Sequence, residues 1–458
     1  MSEYDFDVLV IGGGGSGGFT AATTALARGA RVGMIEAGRL GGLCILAGCM
    51  PSKFLLHNAA RIRQSGGRGA EAYPRLLAGK RSLVDYLAGA RERAVRAKQA
   101  QGLEVIPGRA RLLDAHTVEV EGRRLAAANL VIATGSTEII PPLPGLADSG
   151  YLVSESFLDL EALPPSLIVL GGGVMALELA QYAARMGVET TVIQRSPHLL
   201  SKEPPEVGEL LAEALRADGA QVFTATELMK IENSGETKTA VFEHEGAVVR
   251  VEAREVLAAF GRRPHSQDLG LEQAGVKLEK NGAVKVDRFM RTSQENIYAA
   301  GDVTGWNMVV NLAVLQGEVA GENASGGQRA IDHSVLPQAV FTDPQYAKVG
   351  LSRRQCQEQG LDFAEATYDL ANMGVARTYA PPPVGFMTMR ADKKSRRILG
   401  AEIVAPQASL LIHDTAVAMK LRGTPHDLAQ LPYVHPCLSE LTNLCAHRLA
   451  RLLDKGEE

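Results

Sequence analysis

Asp7-Val8-Leu9-Val10-Ile11-Gly12-Gly13-Gly14-Gly15-Ser16-Gly17-Gly18 is the stretch that decides the fold. Its apolar run reads as a short buried strand, and the glycines after it read as a tight turn. A helix is expected from Phe19 to Arg28, stopped by Gly29, followed by a second strand over Arg31–Glu36. Strand, glycine turn, helix and strand make a βαβ unit. Gly13, Gly15 and Gly18 take the three small positions of a dinucleotide turn, and Glu36 follows 23 residues after the first, near the expected spacing of about 20. The glycines let a pyrophosphate approach the backbone at a helix N-terminus, and the Glu36 carboxylate can accept from ribose hydroxyls.

The unit recurs. Ser166–Leu170 leads into Gly171-Gly172-Gly173-Val174-Met175-Ala176, then a helix to Met186 and a strand over Glu189–Ile193. Gly171, Gly173 and Ala176 fill the small positions. Two such units imply two nucleotides bound by one chain. In the second, Gln194 stands where an acid is expected, with Arg195 next and Lys202 close by. A carboxylate repels a 2′-phosphate and a guanidinium binds it bidentately, so NADPH is favoured over NADH.

Between the units runs Gly41-Gly42-Leu43-Cys44-Ile45-Leu46-Ala47-Gly48-Cys49-Met50-Pro51-Ser52-Lys53. Proline two residues after Cys49 marks a helix start, where amide dipoles favour a thiolate. The chain holds five cysteines, Cys44, Cys49, Cys356, Cys437 and Cys445. So sparse and odd a set is not a secreted disulfide framework, and a cytoplasmic location is expected. No second pair or histidine cluster follows at zinc spacing, so no metal is expected.

At 458 residues the chain is long enough for about three domains. Net charge is −4 without long charged runs, which argues against nucleic-acid and membrane partners. Neither a signal leader nor a membrane helix is expected. Strand ends at Leu130–Gly135 and Val256–Arg262 read as returns to the two sheets. Asn296–Asp302 ends in an acid suited to a sugar or ribityl hydroxyl. From about Leu336 the pattern turns to strands at Gln338–Thr342, Gly385–Ala391 and Ile398–Val404, with helices near Ser409–Leu421 and Ser439–Leu453. That reads as an α+β domain.

Five segments in order resemble the two-dinucleotide-fold flavoprotein disulfide reductases: glutathione reductase, dihydrolipoamide dehydrogenase and mercuric reductase. They are Gly41 to Lys53, Ala133-Thr134-Gly135, Gly261-Arg262-Arg263-Pro264, Tyr298 to Asp302, and His435-Pro436-Cys437-Leu438-Ser439-Glu440. The resemblance implies an α/β fold with two Rossmann-like dinucleotide-binding domains, for FAD and NAD(P), plus a C-terminal α+β dimerisation domain. The implied boundaries are 1–150 for the FAD domain, 151–265 for the NAD(P) domain, 266–332 for a central segment completing the FAD domain, and 333–458 for the dimerisation domain. It implies a redox disulfide, with Cys49 against the flavin and Cys44 toward substrate, and a homodimer in which His435 and Glu440 complete the partner's site. Lys53 is implied near the flavin, paired with Glu178. Gly42, Ala110, Thr134, Gly135, Asp302, Gly261 and Arg262 are counted with the cofactor contacts.

Thiol–disulfide exchange needs proton transfer, which an imidazole supports near neutral pH. The expected activity is an FAD-dependent dithiol–disulfide oxidoreductase, dihydrolipoamide dehydrogenase-like, acting on a small-molecule or protein-bound disulfide such as a lipoyl group. The alternatives are an NADPH-dependent reductase of a small disulfide, of glutathione reductase type, and a flavin-containing subunit of a lipoyl-bearing complex. Leu43 and Leu46 stand where the family has Thr and Asn, and Cys437 replaces the Thr after His-Pro. A mercuric reductase is disfavoured, because the chain ends without a Cys-Cys pair and carries His435.

Overall fold

The computed structural model describes residues 4–67 and 69–455. The chain forms two compact units interleaved in sequence. The first runs to Pro165 and takes in Lys230–Lys238 and Ala253–Asp332; the second holds Ser166–Met229, Thr239–Glu252 and the chain from His333 onward.

The first unit is built on a seven-stranded sheet. Phe6–Ile11 lies between Val32–Glu36 and Arg123–Ile132, parallel to both, with Val10 opposite Met34 and Val131. Glu104–Pro107 extends the parallel edge beside Val32–Glu36. The ten-residue strand Arg123–Ile132 has two further partners besides Phe6–Ile11. Its first half pairs antiparallel with Thr117–Val120, and its second half pairs parallel with Ile297–Ala299. Residues near 300 therefore complete a sheet begun at residue 6. Leu9, Ile11, Leu130 and Ile132 are wholly or almost wholly buried, as expected of a parallel sheet covered on both faces.

The helix Ser16–Ala27 packs against the helix Val310–Ala324. The contact is backbone-close: a β-carbon on Gly317 would stand 2.3 Å from the Gly17 carbonyl oxygen, and one on Gly321 2.3 Å from that of Ala21. Glycine there lets the two helices meet without side chains between them.

In the second unit, Ser166–Leu170, Glu189–Ile193 and Gln221–Phe223 are consecutive parallel strands. The helix Val174–Arg185 connects the first two. A separate five-stranded antiparallel sheet runs Gln338–Val340, Gln345–Gly350, Ile398–Ala405, Phe386–Asp392, Phe363–Asp369. The helices Ala408–Lys420 and Glu440–Lys455 pack on it over Met387, Met389, Ile403, Leu441 and Leu449. This is the α/β architecture with a C-terminal α+β domain read from the sequence. No helix among the described residues is long and apolar enough to cross a membrane.

Candidate active site

The glycine turn of the first unit fits a dinucleotide. Gly15 is the N-cap of Ser16–Ala27 and supplies no side-chain cap, so the first-turn amides are left for an anion. A β-carbon on Gly13 would enter the Met34 side chain, and one on Gly18 would lie 2.3 Å from the Gly12 carbonyl oxygen. Glu36 closes the turn: Gly14 N–H donates to its Oε2 at 2.7 Å and Gly38 N–H to its Oε1 at 3.0 Å. Each oxygen keeps a lone pair for a ribose hydroxyl.

The Cys44–Cys49 loop is seated directly on this turn. Gly41 N–H donates to Gly14 O at 3.1 Å. Gly42 takes φ +63°, and a β-carbon on it would stand 2.5 Å from Gly15 Cα. Both a left-handed backbone and the closeness of its neighbour therefore exclude a side chain at Gly42.

Cys44 lies in the short helix Gly42–Leu46, and Cys49 opens the helix Cys49–Gln64, with Pro51 in its first turn as expected. Neither is in a disulfide among the described residues. They hydrogen-bond to each other, and this contact, ahead of burial, pushes the Cys44 thiol well above its ordinary pKa. Lys53, one turn past Cys49, opposes that shift. A second cation, Arg91, comes from the long helix Gly69–Gln99, whose reading the sequence did not offer. Its guanidinium lies over the Phe19 ring at 4.3 Å and within electrostatic reach of Cys44. Ala88 and Val95, at helical spacing from Arg91 on the same face, are both buried.

Other sites named from the sequence in the first unit gather around a short antiparallel ribbon, Ser136–Glu138 with Arg262–Pro264. Thr134 Oγ1 donates to His265 O at 2.6 Å, and His265 N–H donates to Gly135 O at 2.9 Å. Gly261 O accepts from Ile139 N–H at 2.9 Å. Asp302 Oδ2 accepts from Ser136 Oγ at 2.6 Å, and Ser136 Oγ accepts from Arg262 Nε at 2.9 Å. Arg262 also reaches Glu138 at 2.7 Å. Its guanidinium thus holds the ribbon together. Ala110 begins the strand Ala110–Leu112, half-buried against the first unit's core.

In the second unit, Gly173 caps the helix Val174–Arg185 without a side chain, and a β-carbon there would meet nothing within 4 Å. Gly171 takes φ +123°, and Ala176 is fully buried. The open space at Gly173 beside free first-turn amides suits a second nucleotide. Gln194 lies against Gly172 as Glu36 lies against Gly14. Arg195 is exposed and, among the described residues, makes no ion pair or side-chain hydrogen bond. Glu178 is fully buried, and its Oε1 accepts from Phe341 N–H at 3.0 Å.

The late histidine motif forms the expected dyad. His435 Nδ1 is 2.9 Å from Glu440 Oε1, and Cys437 N–H donates to Glu440 Oε2 at 2.9 Å. These contacts, His435 first, hold the Glu440 carboxyl below its ordinary pKa. Cys437 Sγ is occupied locally, 2.7 Å from Val434 O and 2.8 Å from Ser439 Oγ.

Comparison with known proteins agrees with this geometry. Residues 6–317 match the model of the pyridine nucleotide-disulphide oxidoreductases, and residues 336–445 match the dimerisation domain of the same group. A mercuric reductase of Lysinibacillus sphaericus is 34% identical over 95% of this chain and 81% of its own. A dihydrolipoyl dehydrogenase of Geobacillus stearothermophilus is 32% identical over 95% and 94%. Among solved structures, the HOCl-induced flavoprotein disulfide reductase RclA of Escherichia coli superposes with a TM-score of 0.85 at 28% identity, covering 96% of this chain and 99% of its own. The chain belongs to the class I pyridine nucleotide-disulphide oxidoreductases, enzymes that use FAD and NAD(P)H and pair through a C-terminal dimerisation domain.

Proposed function

We propose that this enzyme passes electron pairs between NADPH and a lipoyl-type or other small disulfide, with Cys44 and Cys49 as the redox pair. The observation that carries the reading is the contact between the two thiols on a loop seated against Gly14 and Gly15. FAD, held at the Gly13–Gly18 turn and by Glu36, supplies the two-electron link between nicotinamide and sulfur. In the thiol half of the reaction, Cys44 as thiolate attacks one sulfur of the substrate. The substrate S–S bond breaks, a mixed disulfide forms, and the leaving sulfur takes a proton. Cys49 then attacks Cys44, closing the Cys44–Cys49 disulfide and releasing the second substrate thiol.

His435 is the proton carrier, with its ring held by Glu440. The imidazole side chain is 79% exposed in the single chain, which suits a group that serves a second copy. Arg195 and Lys202, both exposed and without partners among the described residues, favour the 2′-phosphate of NADPH. The alignment of the dihydrolipoyl dehydrogenase over nearly its whole length favours a lipoyl-type ring.

A second reading has the thiol pair bind and reduce a soft metal ion as substrate. It is favoured by the mercuric reductases among the relatives and by a solved Cu(II) complex of RclA. A kcat/KM panel with lipoamide, lipoate, glutathione disulfide, Hg(II) and Cu(II), run with each nicotinamide, separates the two. Preference for a disulfide with NADPH supports the first reading. Turnover of a metal ion alone overturns it.

A further inference from the structure

Arg91 gives Cys44 a cationic neighbour that the redox chemistry itself does not require. It sits on the helix Gly69–Gln99, which packs against both the Gly42–Leu46 and the Cys49–Gln64 helices. Arg91 is half-buried, and its guanidinium carbon lies over the Phe19 ring, 4.3 Å from the centroid. Burial pulls its pKa down and Cys44 acts in the opposite sense, yet arginine remains charged. Among the described residues it has no ion pair and no side-chain hydrogen bond. Asp85, on the same helix, bonds Arg39 at 2.9 Å.

A partly desolvated cation without a counter-charge is costly. A guanidinium over an aromatic face still has N–H donors to offer a planar anion such as a carboxylate. Leu43, Ile45 and Leu46, all half-buried, add apolar side chains on the same loop as Cys44. That combination suits a short apolar disulfide ending in a carboxylate.

We infer that Arg91 is an anion-binding residue of the substrate site, selecting disulfides and dithiols that carry a carboxylate over neutral ones. The inference rests on reading Cys44 as the thiol that meets substrate. Arg91 holds the carboxylate, and the neighbouring S–S bond is brought to Cys44.

The test uses full-length holoprotein, reduced and freed of reductant under anaerobic conditions. Rates of Cys44 alkylation by iodoacetate and by iodoacetamide are compared by peptide mapping, since the two reagents differ in charge and little in size. Arg91→Met lowers the iodoacetate-to-iodoacetamide ratio about tenfold, equivalent to roughly 1.4 kcal/mol, and Arg91→Lys restores most of it. Flavin content is measured alongside, and Arg91→Gln replaces Arg91→Met if that variant loses flavin. An equal ratio in wild type and variant overturns the inference. In parallel, turnover of lipoate is compared with lipoamide, which share one ring and differ in the terminal group. Lipoate preference that falls in Arg91→Met supports the same assignment. Failure to turn over any disulfide overturns the proposed activity, while the alkylation ratio decides the role of Arg91 independently.

Discussion

His435 Nδ1 and Glu440 Oε1 lie 2.9 Å apart, joined across five residues of sequence. Glu440 opens the helix Glu440–Lys455, and its second oxygen accepts from the Cys437 amide. One carboxylate therefore fixes both the imidazole and the turn that carries it. An acid in this position selects the tautomer with a proton on Nδ1 and leaves Nε2 to exchange protons.

Removing the base should cost more than removing its support. His435→Gln is expected to lower kcat with a disulfide substrate by about 10²-fold or more, the usual worth of a positioned acid–base group. Glu440→Gln is expected to cost less. Because the Glu440 pKa is depressed, its carboxylate contributes fully above the ordinary carboxylate value near ~4.3, and that contribution is lost as pH falls through the lower folded value. The dyad should thus persist in mild acid. Stopped-flow pH profiles of wild type and Glu440→Gln check this, and identical acid limbs would contradict it.

Two glycines at matching helix starts should respond differently. At Gly18 a β-carbon would strike the Gly12 carbonyl at 2.3 Å and Gly13 Cα at 2.9 Å, both backbone atoms. Gly18→Ala should therefore purify with much less flavin. At Gly173 the space is open, so Gly173→Ala should keep its Tm and flavin and raise only the KM for nicotinamide nucleotide. Absorbance ratios and thermal melts distinguish these outcomes.

Arg195 should separate the two nicotinamides. Arg195→Ala is expected to raise the KM for NADPH about tenfold through loss of a guanidinium–phosphate contact, with NADH little affected. A wild-type enzyme that prefers NADH by more than about tenfold, a difference of roughly 1.4 kcal/mol, would contradict the assignment.

The five-stranded antiparallel sheet contains a buried charge whose removal should unfold it. Arg390 is 2% exposed, faces Glu365 across the ladder, and also reaches Glu402. Burial pushes the Glu402 carboxyl above its ordinary pKa even so. Arg390→Met leaves two acids without their cation and should cost about 3–5 kcal/mol in urea unfolding. Adding Glu402→Gln should return part of that loss.

The legible parts of the fold were those written in short, continuous stretches. Both glycine turns, the Cys44–Cys49 loop and the His435–Glu440 dyad carry their chemistry within a few residues of chain. The strands at Phe6–Ile11 and Ile398–Ala405 were legible because their apolar runs are bounded by glycine or polar residues. Arg91 was not legible, because Pro74 and scattered charge obscure the 31-residue helix that carries it. The Arg390 cluster was not legible either. Its members sit on three strands, and only β-register brings Glu365, Arg390 and Glu402 together.

Differential alkylation before and after anaerobic addition of NADPH tests the central claim most directly. The expected result is a gain of two reactive thiols per chain, mapping to Cys44 and Cys49 and absent from Cys356, Cys437 and Cys445. An unchanged thiol titre at Cys44 and Cys49, with nicotinamide nonetheless oxidised, would contradict it.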